Sequence, residues 1–325
     1  MRLPPPVKPR AGIVGRKSSM KPTIYSIGIA ALVAAILFGF AWVCLAPYLM
    51  PVVGRQELVR TNSASYKDIK RVELQNDNGP VRVQAVSGND VRVDVVVRGR
   101  PLTAKAAQGL DQSLEVPVDI GQADGVLAVR TAKGRKPADV EVEVAYTLDV
   151  PMGANLILDV GNGNVTVSGQ VGGMLITGQN ADVEVLSPRG PVSVKTMNGR
   201  VRLTGVPEGA DVTTTNGNVY AHMSGGPLTA QTSNGAIVAR VAGEAVSACN
   251  LTTLNGGITV VLGNDASAKV EAGTEHGKVR CDWPLAGIDE GKTGLQHIAG
   301  AIGTGRIPLR LGSVNGNIWV ARDTP

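Results

Sequence analysis

Between Leu156 and Val320 apolar and polar residues alternate in short bursts, and the bursts sit at fixed distances from a recurring Asn-Gly step. The step occurs at Asn162-Gly163, Asn198-Gly199, Asn216-Gly217, Asn234-Gly235 and Asn255-Gly256, with Asn180-Ala181 and His276-Gly277 as variants. From Asn162 to His276 the positions advance by 18, 18, 18, 18, 21 and 21 residues, and a last copy, Asn315-Gly316, follows 39 residues later. Four residues before each step stand Leu158, Ile176, Val194, Val212, Ala230, Leu251, Ala272 and Leu311. Three residues after the Asn or His come Val165, Val183, Val201, Val219, Ile237, Ile258, Val279 and Ile318. Similar apolar columns stand six before and five after it, and the residues between are mostly polar. Alternation with period two on both sides of the step predicts two short strands per repeat, each with one inward face.

Two architectures fit. Asn-Gly between alternating strands is a strong hairpin signal, because both residues tolerate positive φ, and that reading gives an antiparallel hairpin meander. The other is an all-β, single-stranded β-solenoid-like array of 18–21-residue coils, in which like positions stack on like. Five copies at constant spacing favour the solenoid, since its coil length is set by a shared cross-section. A column of Thr or Ser two before the step (Thr196, Thr214, Thr232, Thr253, Thr274, Ser313) also suits stacking. So does the Asn column (Asn162, Asn180, Asn198, Asn216, Asn234, Asn255, Asn315), because parallel in-register strands let side-chain amides bond coil to coil. Eight such coils would make a rod on the order of 40 Å long.

The N-terminus has a different pattern. Thr23 to Ala46 carries no charge and is preceded by six basic residues (Arg2, Lys8, Arg10, Arg16, Lys17, Lys21). This predicts an N-terminal transmembrane signal-anchor helix over 23–47, long enough to span a bilayer. The basic flank places the N-terminus in the cytoplasm and the remainder in the periplasm or outside the cell, with the protein held in the cytoplasmic membrane as a single-pass anchor. Residues 1–22 read as a disordered tail and 48–66 as a linker. Residues 67–153 read as an N-terminal β region, with a coil-like unit around Asn78 and a short helical insert at 103–114. Residues 154–325 form the repeat array, interrupted by a capping excursion over 282–306.

The overall charge of +5 comes from that basic tail. Beyond residue 50 the chain has 26 basic against 27 acidic residues, so no basic patch supports a nucleic-acid partner. The run from Tyr146 to Leu156 (YTLDVPMGANL), the repeated Asn-Gly with Val or Ile close behind, and the closing Ile307 to Val320 (IPLRLGSVNGNIWV) resemble a bacterial family of adhesin-type domains. That family is a domain of unknown function built from β-strand repeats, and the likeness covers residues 67–321. It implies a surface-binding role and supplies no catalytic residues.

Candidate chemistry is sparse. None of the three histidines, His222, His276 and His297, stands at metal-ligand spacing from another His or a Cys, and no metal or cofactor is expected. Cys249 and Cys281 fall in different buried columns and are expected as separate thiols. The acids are scattered; Asp182 and Glu184 flank the inward Val183 and read as exposed. A phosphate-binding reading of Gly300, Gly303 and Gly305 lacks the lysine and the helix that such loops use. No catalytic residues are assigned, and an enzyme is not expected. Tyr220, Arg202 and Arg280 are candidate surface contacts. Tyr220 shares its outward column with Trp319, which is expected to cap the end of the rod.

The chain therefore reads as a membrane-anchored, extracytoplasmic binding or scaffold module of adhesin-like character, facing a protein or a cell-surface or cell-wall glycan. The alternative is an envelope stress or signalling partner at the membrane, and the least favoured reading is a carbohydrate-acting β-helix enzyme.

Overall fold

The computed structural model describes residues 58–103, 106, 118–131, 139–241, 246–287 and 296–323. These residues form 24 strands. In chain order they are β1 (Leu58–Tyr66), β2 (Arg71–Asn78), β3 (Val81–Val86), β4 (Val91–Pro101), β5 (Val118–Ala123), β6 (Val126–Thr131), β7 (Val140–Pro151) and β8 (Asn155–Asn162). There follow β9 (Val165–Ser168), β10 (Met174–Asn180), β11 (Val183–Leu186), β12 (Val192–Asn198), β13 (Val201–Val206), β14 (Ala210–Asn216), β15 (Val219–Met223) and β16 (Gly226–Asn234). The last are β17 (Ile237–Val241), β18 (Val246–Asn255), β19 (Ile258–Leu262), β20 (Ala268–Thr274), β21 (Val279–Cys281), β22 (His297–Ile302), β23 (Ile307–Asn315) and β24 (Ile318–Arg322).

Each repeat sends the strand before its Asn to one twelve-stranded sheet, sheet B, and the strand after it to another, sheet A. Coil pairs with coil in parallel, at a register equal to the repeat: Val194 lies between Ile176 and Val212, and Val201 between Val183 and Val219. The apolar columns face inward and form the core; Ile176, Val194, Val212, Val201, Val219 and Ile237 are fully buried. Burying these columns removes a branched side chain from water at every coil, each worth about 1.5–3 kcal/mol. The hairpin meander is thereby excluded for the array, because the two strands flanking each Asn belong to different sheets.

The expected fold class needs two corrections. First, no helix among the described residues is long and apolar enough to cross a membrane. The described chain is all-β in two large mixed sheets, because its apolar residues recur at period two and cannot clothe a helix. The run 23–47 lies outside the described residues, as do the tail 1–22, most of the linker and most of the stretch 103–114.

Second, each coil contributes two strands as expected, one to each sheet, but the coils do not stack in chain order at either end. Sheet A runs β1-β4-β7-β3-β9-β11-β13-β15-β17-β19-β24-β21, and sheet B runs β22-β20-β23-β18-β16-β14-β12-β10-β8-β2-β6-β5. The last coil, β23–β24, is inserted between β18–β19 and β20–β21, so Leu309 separates Cys249 from Val270. At the other end β6–β7 stacks outside β2–β3. Sheet B finishes at both ends with an antiparallel strand, β5 on β6 and β22 on β20. Such reversed strands end the parallel repeat and withhold its register from another copy.

The described residues divide into two compact units: 58–60, 97–103, 106 and 139–143 in one, and 61–96, 118–131, 144–241, 246–287 and 296–323 in the other. The first holds the outer ends of β4 and β7, where Val140 and Val142 are buried and Arg98 pairs with Glu143 at 3.1 Å. The repeat array lies wholly in the second.

Candidate functional site

The Asn column forms a continuous amide ladder. Each Nδ2 donates to the Oδ1 of the Asn one coil back, from Asn180 to Asn162 at 2.7 Å, Asn198 to Asn180 at 2.8 Å, and Asn216 to Asn198 at 2.8 Å. It continues from Asn234 to Asn216 at 2.7 Å, Asn255 to Asn234 at 2.8 Å and Asn315 to Asn255 at 2.8 Å. The side chains are exposed, and one donor and one acceptor per residue are used within the row, which leaves a rigid rib along one edge of the array.

The glycine after each Asn is there for stacking rather than for a hairpin. A β-carbon on Gly217 would lie 1.9 Å from the carbonyl oxygen of Gly199, and one on Gly316 would lie 1.9 Å from that of Gly256. Thr and Ser of the buried column then reach those same carbonyls. Thr232 donates to Gly217 O at 3.1 Å, Thr253 to Gly235 O at 3.0 Å and Ser313 to Gly256 O at 3.0 Å. A further set of bonds was not anticipated from sequence. Two residues after the Asn, Asp182, Asn218 and Asn317 each accept the backbone N–H of the equivalent residue in the neighbouring coil, at Arg200, Ala236 and Lys278. The signal was a short side chain with a carbonyl or carboxylate oxygen in a loop position.

On the outer face of sheet A, four residues after each Asn or His, the register aligns Arg202, Tyr220, Val238, Thr259, Trp319 and Arg280 in one row. The insertion of β24 next to β19 changes the expected spacing, since only Val238 and Thr259 lie between Tyr220 and Trp319. Trp319 does not cover the end of the rod. It stands 41% exposed on the sheet face, its Nε1 donates to Asp282 Oδ2 at 2.8 Å, and the guanidinium of Arg280 sits 5.3 Å from its ring. Arg202 approaches the Tyr220 ring at 5.6 Å. Such cation–π pairs hold both partners upright on an open surface. The neighbouring Arg240 is bound by Asp323, and Arg322 stacks on Trp283 at 4.3 Å.

The other singled-out residues stay apart. Tyr146 is buried, its hydroxyl 2.7 Å from Thr131 Oγ1; burial raises its pKa and the Thr131 bond lowers it. Cys249 is buried and its thiol is pushed up to about 12 by burial. Cys281 was expected in a buried column but is only half-buried, because β21 is an edge strand that pairs on one side alone. Its thiol is raised by burial and lowered by the contact with the Trp283 carbonyl. Asp182 is exposed, Glu184 is half-exposed, and they flank the buried Val183 as expected. Among the described residues no group of three or more His, Cys, Asp or Glu is placed to hold a metal ion.

Parallel coils turning at Asn-Gly steps, packed too closely for a β-carbon at those glycines, make up the array. The chain belongs to the Toastrack DUF4097 family. The family pattern matches residues 69–321, so it takes in the exchanged coils at both ends of the Toastrack array. Among solved structures, a "putative adhesin" from Bacteroides fragilis is 12% identical, with 80% of this chain and 97% of that chain covered at a TM-score of 0.45. Another "putative adhesin", from Parabacteroides distasonis, is 11% identical over 80% of this chain and 96% of its own, at a TM-score of 0.41. A "putative lipid binding protein" from the same species is 10% identical over 82% and 97%, at a TM-score of 0.39. No curated protein matches the sequence. These likenesses carry no functional weight for the Toastrack array; its own surface has to supply the argument.

Proposed function

We propose that the array is a non-enzymatic, adhesin-like binding or scaffold module that meets its partner, a protein or a cell-surface or cell-wall glycan, through the outer face of sheet A. The observation that carries this reading is the row Arg202, Tyr220, Val238, Thr259, Trp319 and Arg280. Arg, Tyr and Trp are the residue types that dominate binding energy at interfaces, and here they stand on one outward line, with Arg202, Trp319 and Arg280 exposed and Tyr220 half-buried, braced by two cation–π contacts. Parallel strands on either side fix the spacing of that line, so little conformational freedom is lost when a partner is bound. The module works outside the cytoplasm in this reading. The support is the basic residues before position 22 and the charge-free run that follows, an order typical of chains directed across a membrane.

The test is photo-crosslinking in cells from a benzoylphenylalanine placed at position 220 of the full-length chain. A defined protein or cell-wall fragment should be captured, and Trp319→Ala or Arg202→Ala should reduce the yield several-fold. Equal capture from a probe at the exposed Asp159, on the outer face of sheet B, would rule out the sheet A face as the contact.

A further inference from the structure

The outer face of sheet B carries a feature that neither the ladder nor the sheet A row explains. One outward row, three residues before the Asn or His, runs through Thr213, Gln231, Thr252, Gly312 and Gly273 and ends beside His297 on the antiparallel β22, crossing six neighbouring strands. The row is lined with hydroxyl and amide groups and then drops away at two adjacent glycines. Around it lies a shallow depression of about 480 Å³, with Leu254 and Val314 on one flank, continuing into a second of about 500 Å³ bounded by Asn250, Glu271, Arg310 and His297.

Gly312 is the anomaly. Glycines of the Asn-Gly turns would drive a β-carbon into a carbonyl at about 2 Å, so stacking demands them. At Gly312 a β-carbon would meet nothing nearer than Thr252 Cγ2 at 3.6 Å, an ordinary contact, and no positive φ is recorded there. Equivalent positions in other coils hold Lys195, Thr213, Gln231 and Thr252. Neither backbone conformation nor packing requires glycine at this place, and glycine inside a strand is otherwise unfavourable. A side chain is missing where it would fill the groove.

We infer that this groove is a binding site for a neutral, N-acetylated oligosaccharide lying across strands β14, β16, β18 and β23. The polar groups of its floor, Thr213, Gln231 and Thr252, are uncharged and offer both donors and acceptors, the complement of sugar hydroxyls. Leu254, 52% exposed beside Val314, supplies the apolar contact that an acetamido methyl takes. A peptide strand is disfavoured because the groove lies on a sheet face, where the backbone groups are already paired between neighbouring strands. The Arg310–Glu271 pair, 3.8 Å apart, closes the far end with balanced charge. The inference is independent of the sheet A row and stands or falls on other residues.

The test is calorimetric titration of the purified full-length chain with chitotetraose, and with cellotetraose as the sugar lacking acetamido groups. Chitotetraose should bind, and cellotetraose should bind about tenfold more weakly. Gly312→Leu has room to fold and should abolish binding at an unchanged melting temperature, while Thr252→Val should weaken it about tenfold through one lost hydrogen-bonding group. Binding that survives Gly312→Leu, or that is lost in Tyr220→Ala instead, would overturn the site. So would a wild-type chain that takes up neither sugar.

Discussion

Gly178 and Ala181 share one small space inside the array: a β-carbon built on Gly178 would lie 2.7 Å from the Cβ of Ala181. The five coils from Asn198 through His276 have the reverse arrangement, Thr two before the step and glycine after the Asn or His. The coil at Asn180 has therefore moved its side-chain volume across the turn. Gly178→Thr alone overfills the site and is expected to destabilise by about 1–3 kcal/mol. Combined with Ala181→Gly it restores the pairing of the neighbouring coils and should recover most of that loss. Denaturant unfolding of the two single variants and the double variant closes the cycle, and strictly additive effects would dismiss the shared space as the cause.

The buried threonines make a second, opposite-signed pair. Thr232 donates to the Gly217 carbonyl, whereas the Thr214 hydroxyl, equally buried, has no hydrogen-bond partner among the described residues. Thr232→Val should cost about 1–2 kcal/mol because a bond is lost and its acceptor loses a partner. Thr214→Val removes an unsatisfied hydroxyl at constant shape and should be neutral or stabilising by up to about 1 kcal/mol. Thermal melts of the two variants decide it. Equal losses would mean that the Thr214 hydroxyl is satisfied in solution.

Much of this frame was legible in the sequence, because a stacked coil imposes the same demand at the same position each time. The columns ending in Val194 and Val201, the buried threonines and the Asn row follow from that demand. Coil order did not follow. Leu309 and Leu311 satisfy the columns as well as Val270 and Ala272 do, so the pattern says which positions stack but not which coil lies beside which. That degeneracy hid the insertion of β23–β24, and with it the closeness of Tyr220 to Trp319 and the half-burial of Cys281. The Gly312 groove was hidden for the same reason, since Gly312 comes to lie beside Thr252 only through the exchange. The Gly178–Ala181 compensation needed the three-dimensional contact to give its meaning.

The amide ladder makes stability depend on pH once an acid is put into it. Asn198 donates to Asn180 and accepts from Asn216. In Asn198→Asp the ionised carboxylate still accepts from Asn216 but turns a second acceptor toward the Asn180 oxygen. Only the protonated acid donates there, so folding raises this carboxyl pKa above its unfolded value. Its contribution is thus full below the unfolded pKa and is lost as pH rises through the folded one. The variant should be about 1–2 kcal/mol less stable than wild type at pH 7 and approach it below about pH 4. A pH-independent difference in urea unfolding would refute the ladder, since an acid within it must face one acceptor oxygen.

The two cysteines of the array report on its two environments. Cys281, on the single-sided edge strand, should react with iodoacetamide in the native protein, while Cys249, buried between β16 and β23, should react only after unfolding. Peptide mapping by mass spectrometry separates them, and equal protection would contradict the edge placement of β21. Alkali supplies the energetic counterpart. Burial pushes the Cys249 thiol up to about 12 from an ordinary 9.0. Above pH 9 the unfolded thiol releases its proton while the folded one keeps it, so stability is fully present below pH 9. It then falls by as much as about 1.4 kcal/mol per pH unit up to about pH 12. Tyr146, also raised by burial from an ordinary 10.0, adds to the fall above about pH 10. Cys249→Ala should make the decline between pH 9 and 10 shallower, leaving the part that the raised Cys281 thiol contributes, and a slope unchanged by the substitution would show that the Cys249 thiol is not held protonated by burial.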